Sequence, residues 1–182
     1  MWHRGLMLIG QLRPADFDAA VELWQEAGLT RPWNDPVADL HRAIAGPAST
    51  VLAGLEGDVL LATAMVGHDG HRGWVYYLAV RVDAQRRGHG RAMIGVCEAW
   101  LVERNVPTLN LMLRTDNETA RGFYAALGYT HDDDVRVLAP ARLNATPSSH
   151  SACTSRRQSR GEPPRPWLFA LCDSARLGRR RA

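Results

Sequence analysis

Long apolar runs are missing from this sequence. No stretch approaches the roughly 18 apolar residues that a membrane span requires. The apolar patch nearest the start, residues 6–9, is four residues long. A secretory signal needs an apolar region of roughly 7–15 residues, so the reading is a cytoplasmic protein with no membrane partner. Met7 is a candidate original start, with residues 1–6 as an upstream extension. Cysteine is scarce as well: Cys97, Cys153 and Cys172 show no metal-ligand spacing. No metal site is therefore expected, and nothing demands an oxidising compartment. Cys97 falls in a helical pattern and reads as a small core residue.

Lysine is absent altogether, since all 22 basic residues are arginine. Nine of them lie from Pro140 onward, where only Glu162 and Asp173 oppose them. That leaves 13 arginines against 17 acids in residues 1–139, so the body carries a charge of about −4 and the tail about +7. The overall positive charge belongs to the tail and does not argue that the folded part binds nucleic acid. With 182 residues and 46% apolar content, the chain suits one ordinary α/β domain with a real core.

Periodicity supplies the elements. Residues 7–12 read as a first strand. Pro14 suits a first helical turn, and Phe17, Val21 and Trp24 recur at three- and four-residue steps until Gly28 ends the helix. Asp35 can cap a second helix with Pro36 at its first position and Leu40, Ala43 and Ile44 on its apolar face. Residues 50–55 and 59–66 flank the turn Glu56-Gly57-Asp58 as a hairpin. A polar, Gly-rich loop (67–73) leads into a strong strand at 74–82, rich in aromatic and β-branched residues. A helix over 90–105, a strand over 108–113, a helix over 118–127 stopped by Gly128, and a last strand within 129–138 complete the order. This predicts an α/β fold of the α+β kind: one mixed, mostly antiparallel sheet with helices on both faces. The domain is placed at 7–138. From residue 139 to 182 Ser, Pro, Arg and Gly dominate, and this tail is expected to be disordered. Its composition resembles read-through or out-of-frame translation of GC-rich DNA.

Between the aromatic strand and the next helix lies Gln85-Arg86-Arg87-Gly88-His89-Gly90-Arg91. Glycines let a backbone approach closely and adopt unusual torsions, and a helix start offers unpaired N–H groups and the positive end of the dipole. The arginines add charge. The turn is therefore suited to a pyrophosphate. A plain strand-to-helix turn with exposed arginines is the simpler alternative. A dinucleotide fingerprint or Walker loop is excluded, because there is no third glycine and no Gly-Lys-Ser/Thr.

Gln85-x-x-Gly88-x-Gly90 resembles the Gln/Arg-x-x-Gly-x-Gly/Ala signature of the GNAT N-acetyltransferases. The segment from Asn117 through Tyr124 to Gly128-Tyr129 is similar to that family's Asn-x(6)-Tyr-x-x-x-Gly-Phe/Tyr stretch. By element order the likeness spans roughly residues 7–138. The resemblance implies a GNAT fold and acetyl-CoA as co-substrate. It implies pantetheine bound by the backbone of Leu78, Ala79 and Val80, pyrophosphate by Arg86, Arg87, Gly88, His89, Gly90 and Arg91, a cofactor-arm contact from Asn117, and Tyr124 near the thioester sulfur as general acid. A helix cap for Asn117 and core packing for Tyr124 are the structural alternatives.

One departure stands out. Met112 occupies the place where related ribosomal-protein acetyltransferases carry a glutamate base, which argues against a ribosomal-protein substrate. Asp69 or His71, in the 68–72 loop, could instead accept the ammonium proton, or that loop is simple turn geometry. Arg31, Trp33 and Asn34 are candidates for shaping the acceptor pocket. Together these loops resemble the small bacterial YpeA-like subgroup. The expectation is an N-acetyltransferase acting on a small-molecule or protein amine in a ternary complex, as monomer or homodimer. A non-catalytic acetyl-CoA sensor and a tail-mediated binder of nucleic acid or anionic surfaces are the rivals.

Overall fold

Prolines and capping residues open the first helices where the sequence places them. In the computed structural model, which describes residues 6–135, Pro14–Asp16 form a single 3-10 turn that runs into helix α1, Phe17–Glu26. Helix α2, Pro36–Ile44, is capped by Asp35, whose carboxylate accepts from the N–H groups of Val37 and Ala38. Helix α3 spans His89–Val102, and α4 spans Glu118–Ala125. No helix among the described residues is long and apolar enough to cross a membrane.

Five strands form one mixed sheet: β1 (Leu8–Gln11), β2 (Ser49–Glu56), β3 (Val59–His68), β4 (Gly73–Val80) and β5 (Leu109–Leu111). They lie in chain order across the sheet. Strands β1 to β4 pair antiparallel, and β5 pairs parallel to β4. Both faces are covered, as alternation along β2 shows. Val51 and Ala53 pack with Trp24 and Leu40 of α1 and α2, while Leu52 packs with Met93, Cys97 and Leu101 of α3 and with Tyr124 of α4. Side chains alternate across a strand, so one strand feeds both layers.

Register breaks once in β4. Thr63 of β3 faces Ala79, but Met65 faces Tyr76, so Tyr77 and Leu78 together oppose Ala64. This is a β-bulge, an extra residue that bends its strand. Tyr77 takes φ +50°, which costs an ordinary residue energy. Buried Thr63 compensates: its hydroxyl accepts from Trp24 Nε1 at 2.8 Å and donates to the Tyr77 carbonyl at 3.3 Å. Trp24 also stacks on the Tyr77 ring, centroids 4.2 Å apart, and the Tyr77 hydroxyl donates to Asp39 Oδ2 of α2 at 2.7 Å. Three side chains, Thr63, Trp24 and Asp39, thus hold one strained backbone position. Pairing between β4 and β5 covers residues 73–75 and 109–111, stopping just before the bulge. Beyond it the two strands part.

Several boundaries move. Strand β3 extends to His68, so the hairpin loop shrinks to residues 69–72, and β4 ends at Val80 with Val82 in a 3-10 turn. The last strand expected within 129–138 is absent from its described part: residues 130–135 form no strand. They carry His131 and three consecutive aspartates, a poor strand composition. Residues 136–138, the tail from 139, Cys153 and Cys172 lie outside the described residues.

Candidate functional site

Where β4 and β5 part, a groove of about 600 Å³ opens. Leu78, Ala79 and Val80 form one wall, and Asn117, Ala120, Phe123 and Tyr124 the other. The Arg81 N–H bonds back to Leu61 of β3 at 2.9 Å. Strand alternation therefore turns the N–H and C=O of Val80 the other way, toward the open side. Gln85 confirms this orientation, since its Nε2 donates to the Val80 carbonyl at 3.1 Å.

The Gly-rich turn closes one end of the groove. Arg86 (φ +60°) and Gly88 (φ +89°) both take left-handed backbone on either side of Arg87. Such alternation curls successive N–H groups into an anion-binding concavity. Gly88 is also the N-cap of α3. Ala92 is the first residue to bond back, to Gly88 at 3.0 Å, so the N–H groups of His89, Gly90 and Arg91 have no partner inside the helix. All three residues line the groove. A Cβ on Gly90 would sit 3.2 Å from the Phe123 ring, so glycine lets α3 start hard against α4.

The arginines divide. Arg86 lines the groove. Arg87 instead borders a separate hollow with Met7 and Glu56. Arg91 reaches across to donate to the Ala126 carbonyl at 3.2 Å, tying α3 to the end of α4. The backbone of this turn is thus a more complete anion cradle than its side chains.

Asn117 is both a cap and a wall residue. Its Oδ1 accepts from the Ala120 N–H at 3.0 Å, leaving the Nδ2 protons outside that bond. Tyr124 is buried in the groove wall, its ring edge-on to Phe123 and Tyr129. Burial pushes its phenol up to about 12, with Cys97 a smaller influence. Burial likewise raises the Cys97 thiol to about 12, so it is an inert core group.

A second cavity, of about 630 Å³, lies on the α1/α2 side of the sheet. It meets the groove at Leu29, which lines both, and at the Tyr77–Leu78 step. Of the expected acceptor residues, Asn34 lines this cavity. Arg31 braces its own loop, donating to the carbonyls of Gly28 and Thr30, and Trp33 is exposed outside the cavity lining. Asp69 also lines it. Its Oδ1 accepts from the N–H groups of Arg72 and His71, and these bonds hold the carboxyl below the usual range. Asp69 is therefore a turn staple and a standing negative charge, poorly suited to taking a proton. His71 lies outside the lining.

Sequence reasoning passed over Gln85 as a structural tie, Thr63 and Tyr77 as the bulge lock, and Asp39 as a cavity carboxylate. Gln85 was visible as the first position of the motif. Asp39 was not, because an aspartate on an exposed helix stretch looks like ordinary solvation.

The sequence matches the model of the acetyltransferase (GNAT) family over residues 17–129. It is 36% identical over 131 residues to an acetyltransferase of Yersinia enterocolitica, covering 72% of this chain and 93% of the relative. It is 39% identical over 133 residues to one of Sodalis glossinidius, with the same coverage. Among solved structures, aminoglycoside N-acetyltransferase AAC(6')-Iy in complex with CoA superposes with TM-score 0.66 at 14% identity, over 78% of this chain and all of that one. A predicted acetyltransferase with acetyl-CoA from Clostridium acetobutylicum gives 0.63 at 14% identity, over 74% and 96%. Family model, relatives and fold agree: this chain belongs to the GNAT acetyltransferase family.

Proposed function

We propose that the chain transfers the acetyl group of acetyl-CoA to a primary amine by direct attack within a ternary complex. Acetyl-CoA is the co-substrate. In this reading the pyrophosphate sits on the N–H groups of residues 88–91 with Arg86 alongside, and the pantetheine arm runs along residues 78–80. Asn117 contacts the arm from the opposite wall. The observation that carries the reading is the meeting of two cavities at the bulge: a backbone-edged groove on one side of residues 77–78 and a side-chain-lined cavity on the other.

The amine reaches the thioester from the acceptor cavity as its neutral form, having released a proton to water. Its nitrogen bonds to the carbonyl carbon, and a backbone N–H of the 78–80 segment stabilises the oxyanion that develops. The C–S bond then breaks. Tyr124 donates a hydrogen bond to the departing sulfur. With its phenol near 12 and an ordinary thiol near 8.5, complete transfer of the proton is uphill by roughly 5 kcal/mol. The phenol therefore eases the charge on sulfur, and the proton finally carried on the CoA thiol is the one the nitrogen sheds after it has bonded to the carbonyl carbon. Atoms balance as amine plus acetyl-CoA giving amide plus CoA.

AAC(6')-Iy and a soil metagenomic relative, solved with sisomicin, are aminoglycoside acetyltransferases. These neighbours support a small-molecule amine as acceptor. The test is thiol release from acetyl-CoA across amine classes. At least one class is expected to accelerate release. Tight acetyl-CoA binding with no release against any amine would make the protein a sensor.

A further inference from the structure

We infer that the 630 Å³ cavity beside the bulge accepts a singly charged amine carried on an apolar or aromatic body, with Asp39 as the carboxylate that receives its ammonium group. The inference rests on the acetyl-transfer reading and supplies its substrate class.

The walls set the body of the ligand. Leu29, Met65, Trp74, Tyr76 and Tyr77 give the cavity apolar and aromatic surface from three elements. Tyr76, in the middle of β4, is 42% exposed, an unusual position for a large aromatic ring within a central strand. Such surface favours a hydrophobic ligand, and aromatic faces also attract a cation.

The charges set its valence. Asp39, Arg42 and Asp69 are the Asp, Glu, Lys and Arg side chains lining the cavity, a formal balance of one negative charge. The Asp69 Oδ1 is occupied by two backbone N–H groups. Asp39 accepts from the Tyr77 hydroxyl at Oδ2 and pairs with Arg42 at Oδ1. A carboxylate offers about four lone-pair sites, so these two bonds leave capacity for an ammonium. The Arg42 side chain is 68% exposed, so its half of the pair is screened and easily given up. A polycation, by contrast, would find one net negative charge and a wall of rings.

Position links this site to the chemistry. Asp39 holds the Tyr77 hydroxyl, and Tyr77 directly precedes the 78–80 segment that edges the groove. An amine seated at Asp39 therefore lies on the α2 side of the bulge, with the groove beginning one residue along the chain.

The test is ligand binding to the CoA-saturated protein, followed by calorimetry or NMR titration, with no turnover possible. 2-Phenylethylamine is expected to bind at least ten-fold more tightly than its uncharged analogue 2-phenylethanol, and at least ten-fold more tightly than the polycation kanamycin. Asp39→Asn should cut the preference for amine over alcohol to less than two-fold. Equal binding of amine and alcohol by the natural protein, or tighter binding of kanamycin, overturns the inference without recourse to any variant. A preserved preference in folded Asp39→Asn removes Asp39. Thiol release with acetyl-CoA is read separately: 2-phenylethylamine that binds as expected but releases no thiol overturns the transfer reading and leaves the binding site standing.

Discussion

The groove and the cavity on the α1/α2 side are nearly equal in size and meet at the same bulge, yet they are built in opposite ways. The groove is edged by main chain: the outward-facing edge of β4 and the unpaired N–H groups at the start of α3. The cavity is edged by side chains from α2, the α1–α2 loop, β2, β3 and β4. A backbone site demands residues that permit its torsions and close approach, and these cluster within a few positions. A side-chain site draws on residues spread from Leu29 to Tyr77, each of which can change alone. One fold can therefore keep a single donor while its acceptor varies.

This difference can be broken from either side. The largest effect is expected at Tyr124→Phe, which removes the donor to sulfur but not the ring that fills the wall. Turnover should fall roughly 100- to 1000-fold, the effect of losing one donor to a developing charge, with acetyl-CoA affinity within about two-fold by calorimetry. Equal losses in both would make Tyr124 a packing residue.

The same tyrosine gives a pH signature. Its phenol is raised to about 12 in the folded chain by burial, against about 10 when unfolded. Between these values the folded chain keeps a proton that the unfolded chain has lost. The stabilisation is thus complete below pH 10 and disappears as the pH climbs to 12, a loss of about 3 kcal/mol. Urea unfolding across pH 9–12 reads it, and Tyr124→Phe should make the slope shallower by that amount, the remainder belonging to Cys97 and Tyr129, which burial also raises.

Gly88→Val attacks the groove's backbone directly. Its φ of +89° is hostile to a β-branched residue, although a Cβ there would meet nothing within 4 Å. Acetyl-CoA affinity should drop about 30-fold, since a 2 kcal/mol torsional penalty must be relieved by moving the N–H groups. The binding of an acceptor amine should change little.

Thr63→Val is the smallest and the most local. It strands the buried Trp24 N–H and weakens the hold on the Tyr77 carbonyl, costing about 1–2 kcal/mol of stability. Because the bulge is shared by both sites, KM for donor and acceptor should rise together. A change in one alone would uncouple them.

The construction of the two sites also explains what could be read from residues in order. Asp35 before Pro36 announced a helix start, and Gly88 announced a left-handed entry into α3, because capping and left-handed torsions are local demands. The bulge left no such mark. Tyr77 lies in a run that reads as uninterrupted strand, and its strain is relieved by Thr63, Trp24 and Asp39, distant in sequence. Arg87 and Arg91 lie in and beside the motif, yet one borders a hollow with Glu56 and Met7 and the other ties two helices. Charge in a motif does not reveal which way a side chain leaves the backbone. Asp69 was legible both as chemistry-bearing and as turn geometry, and only folding, which brings the Arg72 and His71 N–H groups onto its carboxylate, favours the turn.

The claim that the cofactor is held by main chain is tested most directly by amide hydrogen exchange with and without saturating acetyl-CoA. Exchange at Val80 and at residues 88–91 should slow at least ten-fold on binding, while Asn34 and Asp39 of the second cavity stay unchanged. Saturation of the protein with no slowing at residues 80 and 88–91 would contradict the account.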